Sequence, residues 1–283
     1  MRYMVTGASG QLGSTVLEQL STRVAKSDIT ALVRREAAAT ALAAQSYGTA
    51  VASYDDVEAL TAAFKGVDRL LLISGSEVGQ RARQHGNVVA AAKAAGVGFI
   101  AYTSLLQATV SPMILAVEHK ATEEALAASG IPYALLRNGW YSENMLGGLD
   151  YAVEHGAMIG ASGEGRYASA PRADYAEAAA IVLAGGDHAG KVYELAGDAG
   201  YTGAELAAMV AKASGKPVAY ADLPPAEYKA ALVGAGIPDG FADVLVDSSV
   251  RAGEGWLDDS SKTLSGLLGR PTEPMAETVA KAL

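Results

Sequence analysis

At 283 residues, half of them hydrophobic, the chain is long enough for a sizeable core, arranged as one large domain or a domain with a lobe. A formal charge of −9 leaves no basic footprint for nucleic acid or an anionic membrane, and the lack of cysteine excludes disulfides, thiolate metal sites and cysteine nucleophiles. No apolar run approaches the roughly 18 to 20 residues that span a bilayer, and the first residues lack the features of a signal peptide, so a cytoplasmic protein is expected.

Residues 2 to 6 (R-Y-M-V-T) read as a first strand, followed directly by T-G-A-S-G-Q-L-G at 6 to 13 and a helix pattern over 14–20. Glycines at 7, 10 and 13 let the turn tighten and bring backbone N–H groups and the positive end of a helix against a pyrophosphate. The G-x-x-G-x-x-G spacing is looser than the common G-x-G-x-x-G. Its position at the first strand-to-helix turn therefore carries the nucleotide-binding reading, against the alternative of a purely structural turn.

The second strand, over 28–33, ends in Val33-Arg34-Arg35. A site that prefers NAD places Asp or Glu here for the ribose hydroxyls, whereas a 2′-phosphate is repelled by a carboxylate and wants a guanidinium. Arg34, first off the strand, favours NADPH over NADH; the alternative is two solvated surface arginines.

Further strand-like runs lie at 49–53, 68–73, 98–103 and 132–136, with helix patterns over 80–95 and 116–129 that stop at Gly96 and Gly130. Strand and helix in alternation imply a parallel sheet covered on both faces, a doubly wound α/β fold of Rossmann-like type. After residue 137 the rhythm changes to helical patterns at 142–154, 172–184, 202–214, 224–234 and 239–250, with strand-like pieces at 192–196 and 217–221. The expected division is a dinucleotide-binding domain over 1–137 and a smaller, mostly helical substrate-capping lobe over 138–283, some segments of which return to the first domain.

Five stretches together carry a resemblance: T-G-A-S-G-Q-L-G, the L-V-R end of the second strand, L-L-L-I-S-G-S-E-V-G-Q-R (70–81), F-I-A-Y-T-S-L-L (99–106) and L-L-R-N-G-W-Y-S-E-N (135–144). They resemble the NmrA-like atypical short-chain dehydrogenase/reductases, and most of all the bacterial NADPH:quinone oxidoreductase 2 group, with the triphenylmethane dye reductases as near cousins. The similarity extends to V-Y-E-L-A-G (192–197) and S-K-T-L (261–264). It implies that Gly7, Ser9, Gly10, Gln11 and Leu12 wrap the pyrophosphate, that Arg34 holds the 2′-phosphate, and that Ser74, Gly75 and Ser76 line the nicotinamide side. It also implies that Arg137, Asn138, Tyr141 and Glu143 border the nicotinamide and a quinone pocket, with Asn138 and Tyr141 nearest the acceptor. One departure is Ser53 before Tyr54, where relatives commonly place an Asp near the adenine.

A second departure concerns proton supply. Short-chain dehydrogenases typically use Tyr-x-x-x-Lys to protonate an alkoxide, yet none of the thirteen tyrosines here has Lys four residues on. A quinone that accepts hydride becomes a hydroquinone anion with a pKa of about 10, the phenol range, and takes its proton from water or a weak acid. The missing pair thus points to an easily reduced acceptor. Within V-E-H-K-A-T-E (117–123), His119 and Lys120 are the candidates for proton supply or substrate positioning: His119 as a group that titrates near neutral pH, Lys120 either in that role or paired with Glu124 on a solvated face.

Other signals fail. The P-loop-like spacing over 185–191 follows a helix and precedes a strand, the reverse of the required order, and Val192 replaces the Ser/Thr. His119 and Glu123 lack a third ligand, so no metal is expected, and no G-x-S-x-G elbow occurs. Trp140 and Tyr141 are either core aromatics or the face on which a flat quinone stacks. The expected partner is a small quinone or similar flat acceptor, with no nucleic acid and no membrane, and a homodimer left open. The reading is an NADPH-dependent quinone reductase; the alternatives are a reductase of another conjugated acceptor such as a triarylmethane dye, or an NADP(H)-sensing regulator without turnover.

Overall fold

The structure, a computed structural model, describes all 283 residues. The chain divides into two compact units: one built from Met1–Thr109, Val117–Asn138 and Arg172–Tyr193, the other from Val110–Ala116, Gly139–Pro171 and Glu194–Leu283.

The first unit is built on β1 (Tyr3–Val5), β2 (Ile29–Val33), β3 (Gly48–Val51), β4 (Arg69–Leu72), β5 (Phe99–Leu105) and β6 (Tyr133–Asn138). With β8 (Val192–Leu195) they make a seven-stranded sheet in the order β3-β2-β1-β4-β5-β6-β8. Every pairing from β3 to β6 is parallel, which is what the apolar runs without alternation require. On one face Met4, Leu32, Leu70, Leu72, Ile100 and Tyr102 pack with Leu60 of α3 (Val57–Ala63), Phe64, Val88 and Val89 of α4 (Arg81–Ala95) and Leu126 of α5 (Ile114–Ser129). On the other, α1 (Gln11–Ser21) packs on α7 (Arg172–Ala184), Tyr3 donates to the Ala184 carbonyl at 3.0 Å, and Arg69 donates to the carbonyls of Val182 and Leu183. A short α2 (Glu36–Ala43) joins β2 to β3.

The second unit holds β7 (Ala157–Gly160) and β9 (Ala219–Asp222), a parallel pair, with α6 (Leu149–His155), α8 (Gly203–Ser214), α9 (Pro225–Gly234), α10 (Asp239–Gly253), α11 (Thr263–Leu268) and α12 (Met275–Ala282). Helix α8 starts in a capping box, Thr202 accepting from the Glu205 N–H and Glu205 from the Thr202 N–H. It also starts on a glycine for a spatial reason: a Cβ on Gly203 would stand 2.6 Å from the Tyr220 ring of β9.

Two sequence expectations fail here. The single helix over 142–154 is broken into a 3₁₀ turn (Ser142–Leu146) and α6, because Gly148 takes φ 77°, a left-handed conformation outside any helix interior. Strand β7 has no counterpart among the expected elements because A-M-I-G, preceded by a glycine and ending in one, offers too short a pattern to register. No helix is long and apolar enough to cross a membrane.

Candidate active site

The turn after β1 is shaped by close backbone approach. Gly7 lies at φ 58°, and a Cβ on Gly13 would stand 2.3 Å from the Gly7 carbonyl oxygen and 2.8 Å from Ala8 Cα. The start of α1 is correspondingly bare: Gly10 is its N-cap, no side chain caps it, and its first turn has no acidic residue. The N–H groups of such a helix end and its positive dipole are free to take an anion. Gly7, Ser9, Gly10 and Gln11 are exposed along this rim, whereas Leu12 is buried and can offer only its backbone.

Arg34 stands directly after β2 with its side chain 63% exposed, and its Nη1 lies 2.5 Å from Glu77 Oε1 in the segment after β4. Glu77 Oε2 in turn accepts from Nε2 of the buried Gln84, which is also 3.3 Å from Asp55 Oδ2. Asp55 pairs with Arg83 at 2.5 Å and accepts a hydrogen bond from Ser53; Arg83 holds its carboxyl below the usual carboxylate range.

The segment after β4 is held from beneath by side chains. The N–H groups of Ile73, Ser74 and Gly75 donate in succession to Thr6 Oγ1 (3.0 Å), Thr103 Oγ1 (2.9 Å) and His85 Nε2 (2.9 Å). The Tyr54 hydroxyl is bonded to both Thr6 Oγ1 and the Ile73 carbonyl. Further on, the Gly79 and Arg81 N–H groups donate to the carboxylate of Glu118 on α5, and Arg81 Nε donates to the Gly75 carbonyl at 2.6 Å. Since His85 Nε2 accepts, its proton sits on Nδ1, 2.9 Å from Thr122 Oγ1. Burial, reinforced by the Arg81 charge, pushes the His85 pKa down to about 4.

The two α5 candidates separate sharply. Lys120 is exposed on the outer face of the helix. His119 is buried, its Nδ1 2.8 Å from the Tyr102 hydroxyl, and burial followed by the charges of Arg81 and His85 pushes its pKa down to about 3. It therefore stays neutral at physiological pH, which corrects the expectation that it titrates there. Arg137 is similarly occupied: its Nε and Nη2 form a two-pronged pair with Glu123 at 2.9 and 2.6 Å, both side chains largely buried, and Glu123 also accepts from Ser104. That guanidinium braces β6 against α5. Asn138, last in β6, is buried.

In the second unit, Tyr141 is half-buried and bridges Ala170, and Glu143 lies in the 3₁₀ turn. Trp140 lines a cavity of about 140 Å³ enclosed by Met145, Met158, Tyr167, Tyr220, Tyr228 and Ser249, among others of the same unit. Burial pushes the Tyr167, Tyr220 and Tyr228 hydroxyls upward.

Thr6, Glu77, His85, Thr103 and Glu118 escape a reading of the sequence. His85 leaves a trace of its burial there, sharing the i, i+3, i+4 stripe with Val88, Val89 and Ala92 that marks the buried face of α4.

A parallel sheet whose first strand feeds a glycine turn and a bare helix end, with a guanidinium after the second strand, belongs to the class of Rossmann-like dinucleotide-binding folds. Within that class the chain is a member of the NmrA-like family, whose family model matches residues 2–265. It is 58% identical to Quinone oxidoreductase 2 of Escherichia coli (strain K12) over 98% of this chain and 96% of that protein. The crystal structure of an NADPH-dependent quinone oxidoreductase from Escherichia coli complexed with NADPH superposes with a TM-score of 0.97, at 58% identity and covering 99% of each chain. The Citrobacter sp. triphenylmethane reductase complexed with NADP(H) superposes at 0.96, with 38% identity over 99% of this chain and 100% of that one.

Proposed function

We propose that the chain is an NADPH-dependent reductase that passes hydride to a quinone. What carries this reading is the bare, carboxylate-free start of α1 combined with Arg34, and no Asp or Glu, directly after β2, in a chain 58% identical to a quinone oxidoreductase. Gly7, Ser9, Gln11 and Leu12 offer backbone N–H groups to a pyrophosphate, and Gly10, whose own N–H donates to the Gly7 carbonyl, offers close approach; Arg34 offers a fork for a 2′-phosphate. The segment Ser74, Gly75 and Ser76, rigid through Thr6, Thr103 and His85, is assigned to the nicotinamide side. Asn138, Tyr141 and Glu143 are assigned to the acceptor's surroundings, and Trp140 lines a cavity within the second unit.

Bound NADPH supplies the hydride, so the protein's own work is binding, orientation and exclusion of water. The state of the tyrosines supports this reading. Tyr102, hydrogen-bonded to a neutral histidine and not beside a lysine, has its hydroxyl pushed up by burial, as have Tyr54, Tyr201 and Tyr220. These hydroxyls are poor proton donors for an alkoxide but unnecessary for a hydroquinone anion, whose pKa of about 10 lets water complete the reaction.

The test is NADPH oxidation by the purified protein with and without a benzoquinone, alongside a triarylmethane dye because of the likeness to a triphenylmethane reductase. Oxidation dependent on the quinone, faster with NADPH than with NADH, is expected. Cofactor binding without oxidation by any quinone or dye would overturn catalysis in favour of a dinucleotide sensor.

A further inference from the structure

Arg34 follows β2 and Glu77 follows β4, and these strands flank β1, so the 2.5 Å ion pair spans the carboxyl edge of the sheet across the strand that feeds the glycine turn. The partners are unequally fixed. Glu77 is seated on the amide of Gln84, a residue only 4% exposed, and its loop is tied through Gly79 and Arg81 to Glu118. Arg34 makes no other hydrogen bond or ion pair, and its long side chain is mostly exposed. The carboxylate is thus a fixed seat, and the guanidinium is the mobile member.

We infer that Glu77 sets the contrast between phosphorylated and unphosphorylated dinucleotides by competing for Arg34: a 2′-phosphate must draw the guanidinium off a carboxylate anchored beside it. The inference rests on the assignment of Arg34 to the 2′-phosphate. A 2′-phosphate carries nearly two negative charges and three acceptor oxygens, so it outbids a carboxylate for one guanidinium. It does so against the residual pull of Glu77 and the repulsion between two neighbouring anions. A dinucleotide without the phosphate asks nothing of Arg34 and leaves the pair intact. Glu77 therefore lowers affinity for NADPH and is silent toward NADH.

Glu77→Gln keeps an oxygen to accept from Gln84 and removes both the charge and the second oxygen that holds Arg34. By direct calorimetric titration of the full-length protein, E77Q is expected to tighten NADPH and 2′,5′-ADP by about two- to fivefold, the range an exposed pair is worth, with NADH unchanged. In the R34A background the gain should shrink to what relief of the repulsion between the two anions contributes, since the competition has lost its object. An unchanged or weaker NADPH affinity in E77Q, a parallel change for NADH, or a gain undiminished without Arg34 would each overturn the inference. The R34A single variant separates this from the parent assignment. If it weakens NADPH selectively while E77Q does nothing, only the role of Glu77 falls; if it weakens NADPH and NADH alike, the 2′-phosphate assignment falls too.

Discussion

At the scale of single residues, three buried groups have been given fixed partners that a change of charge would break. His85 accepts from Gly75 only while its Nε2 is unprotonated, and its pKa of about 4 lies well below the ordinary 6.5. The unfolded chain therefore binds the proton first as pH falls. The stability contributed by keeping His85 neutral is complete above about pH 6.5 and declines toward pH 4, by about 1.4 kcal/mol per unit for one histidine. Thermal midpoints recorded across that window should fall with pH, and less steeply in His85→Gln, whose amide oxygen can still accept from Gly75. The Glu123–Arg137 pair is a different case, since removing the carboxylate strands a guanidinium that is only 12% exposed. Glu123→Ala should cost about 3–5 kcal/mol in urea denaturation. The same pair shows where residue-level reading of the sequence stops: Arg137 lies in a motif that suggests cofactor contact, and only the fold reveals Glu123, fourteen positions away on a helix, as its partner.

At the scale of elements, the strand and helix that hold the glycine turn were readable because local chemistry dictates them. An apolar run, a glycine at φ 58° and a helix without an N-terminal carboxylate all lie within residues 3–21. Gly13 makes the sharpest case. Its backbone is one any residue adopts, yet a Cβ would lie 2.3 Å from a carbonyl oxygen, so the requirement is for contact between helix and turn. Gly13→Ala should destabilise the protein by about 1–3 kcal/mol, the usual cost of overpacking. It should also weaken NADPH binding measured by fluorescence titration, because the turn must shift. The segment after β4 was less legible. Its supports come from β1, β5 and α4, and no window of sequence brings Thr6, Thr103 and His85 together.

For the whole molecule, the alternation of strand and helix made the parallel sheet evident, and its strand order then juxtaposed Arg34 with the glycine turn, which spacing alone could only suggest. The second unit was harder to read, since its helices are separated by glycines that both break and join them, as at Gly147 and Gly148. A ligand that binds only the folded chain stabilises all of it by linkage, by about 2.7 kcal/mol at a concentration one hundred times its Kd. NADPH should therefore raise the thermal midpoint, increasingly with concentration, and NADH at equal concentration should raise it less. Equal shifts would argue against recognition of the 2′-phosphate.

The supports beneath Ile73, Ser74 and Gly75 also bear on how such a protein diversifies. Because the backbone there is bonded to Thr6, Thr103 and His85, the shape of the segment is written elsewhere in the chain. Even a Cβ on Gly75 would meet nothing nearer than 3.6 Å. Position 75 therefore has room for a side chain while the segment keeps its course. A lineage, or a directed library, can alter this part of the chain without rebuilding the frame that presents it.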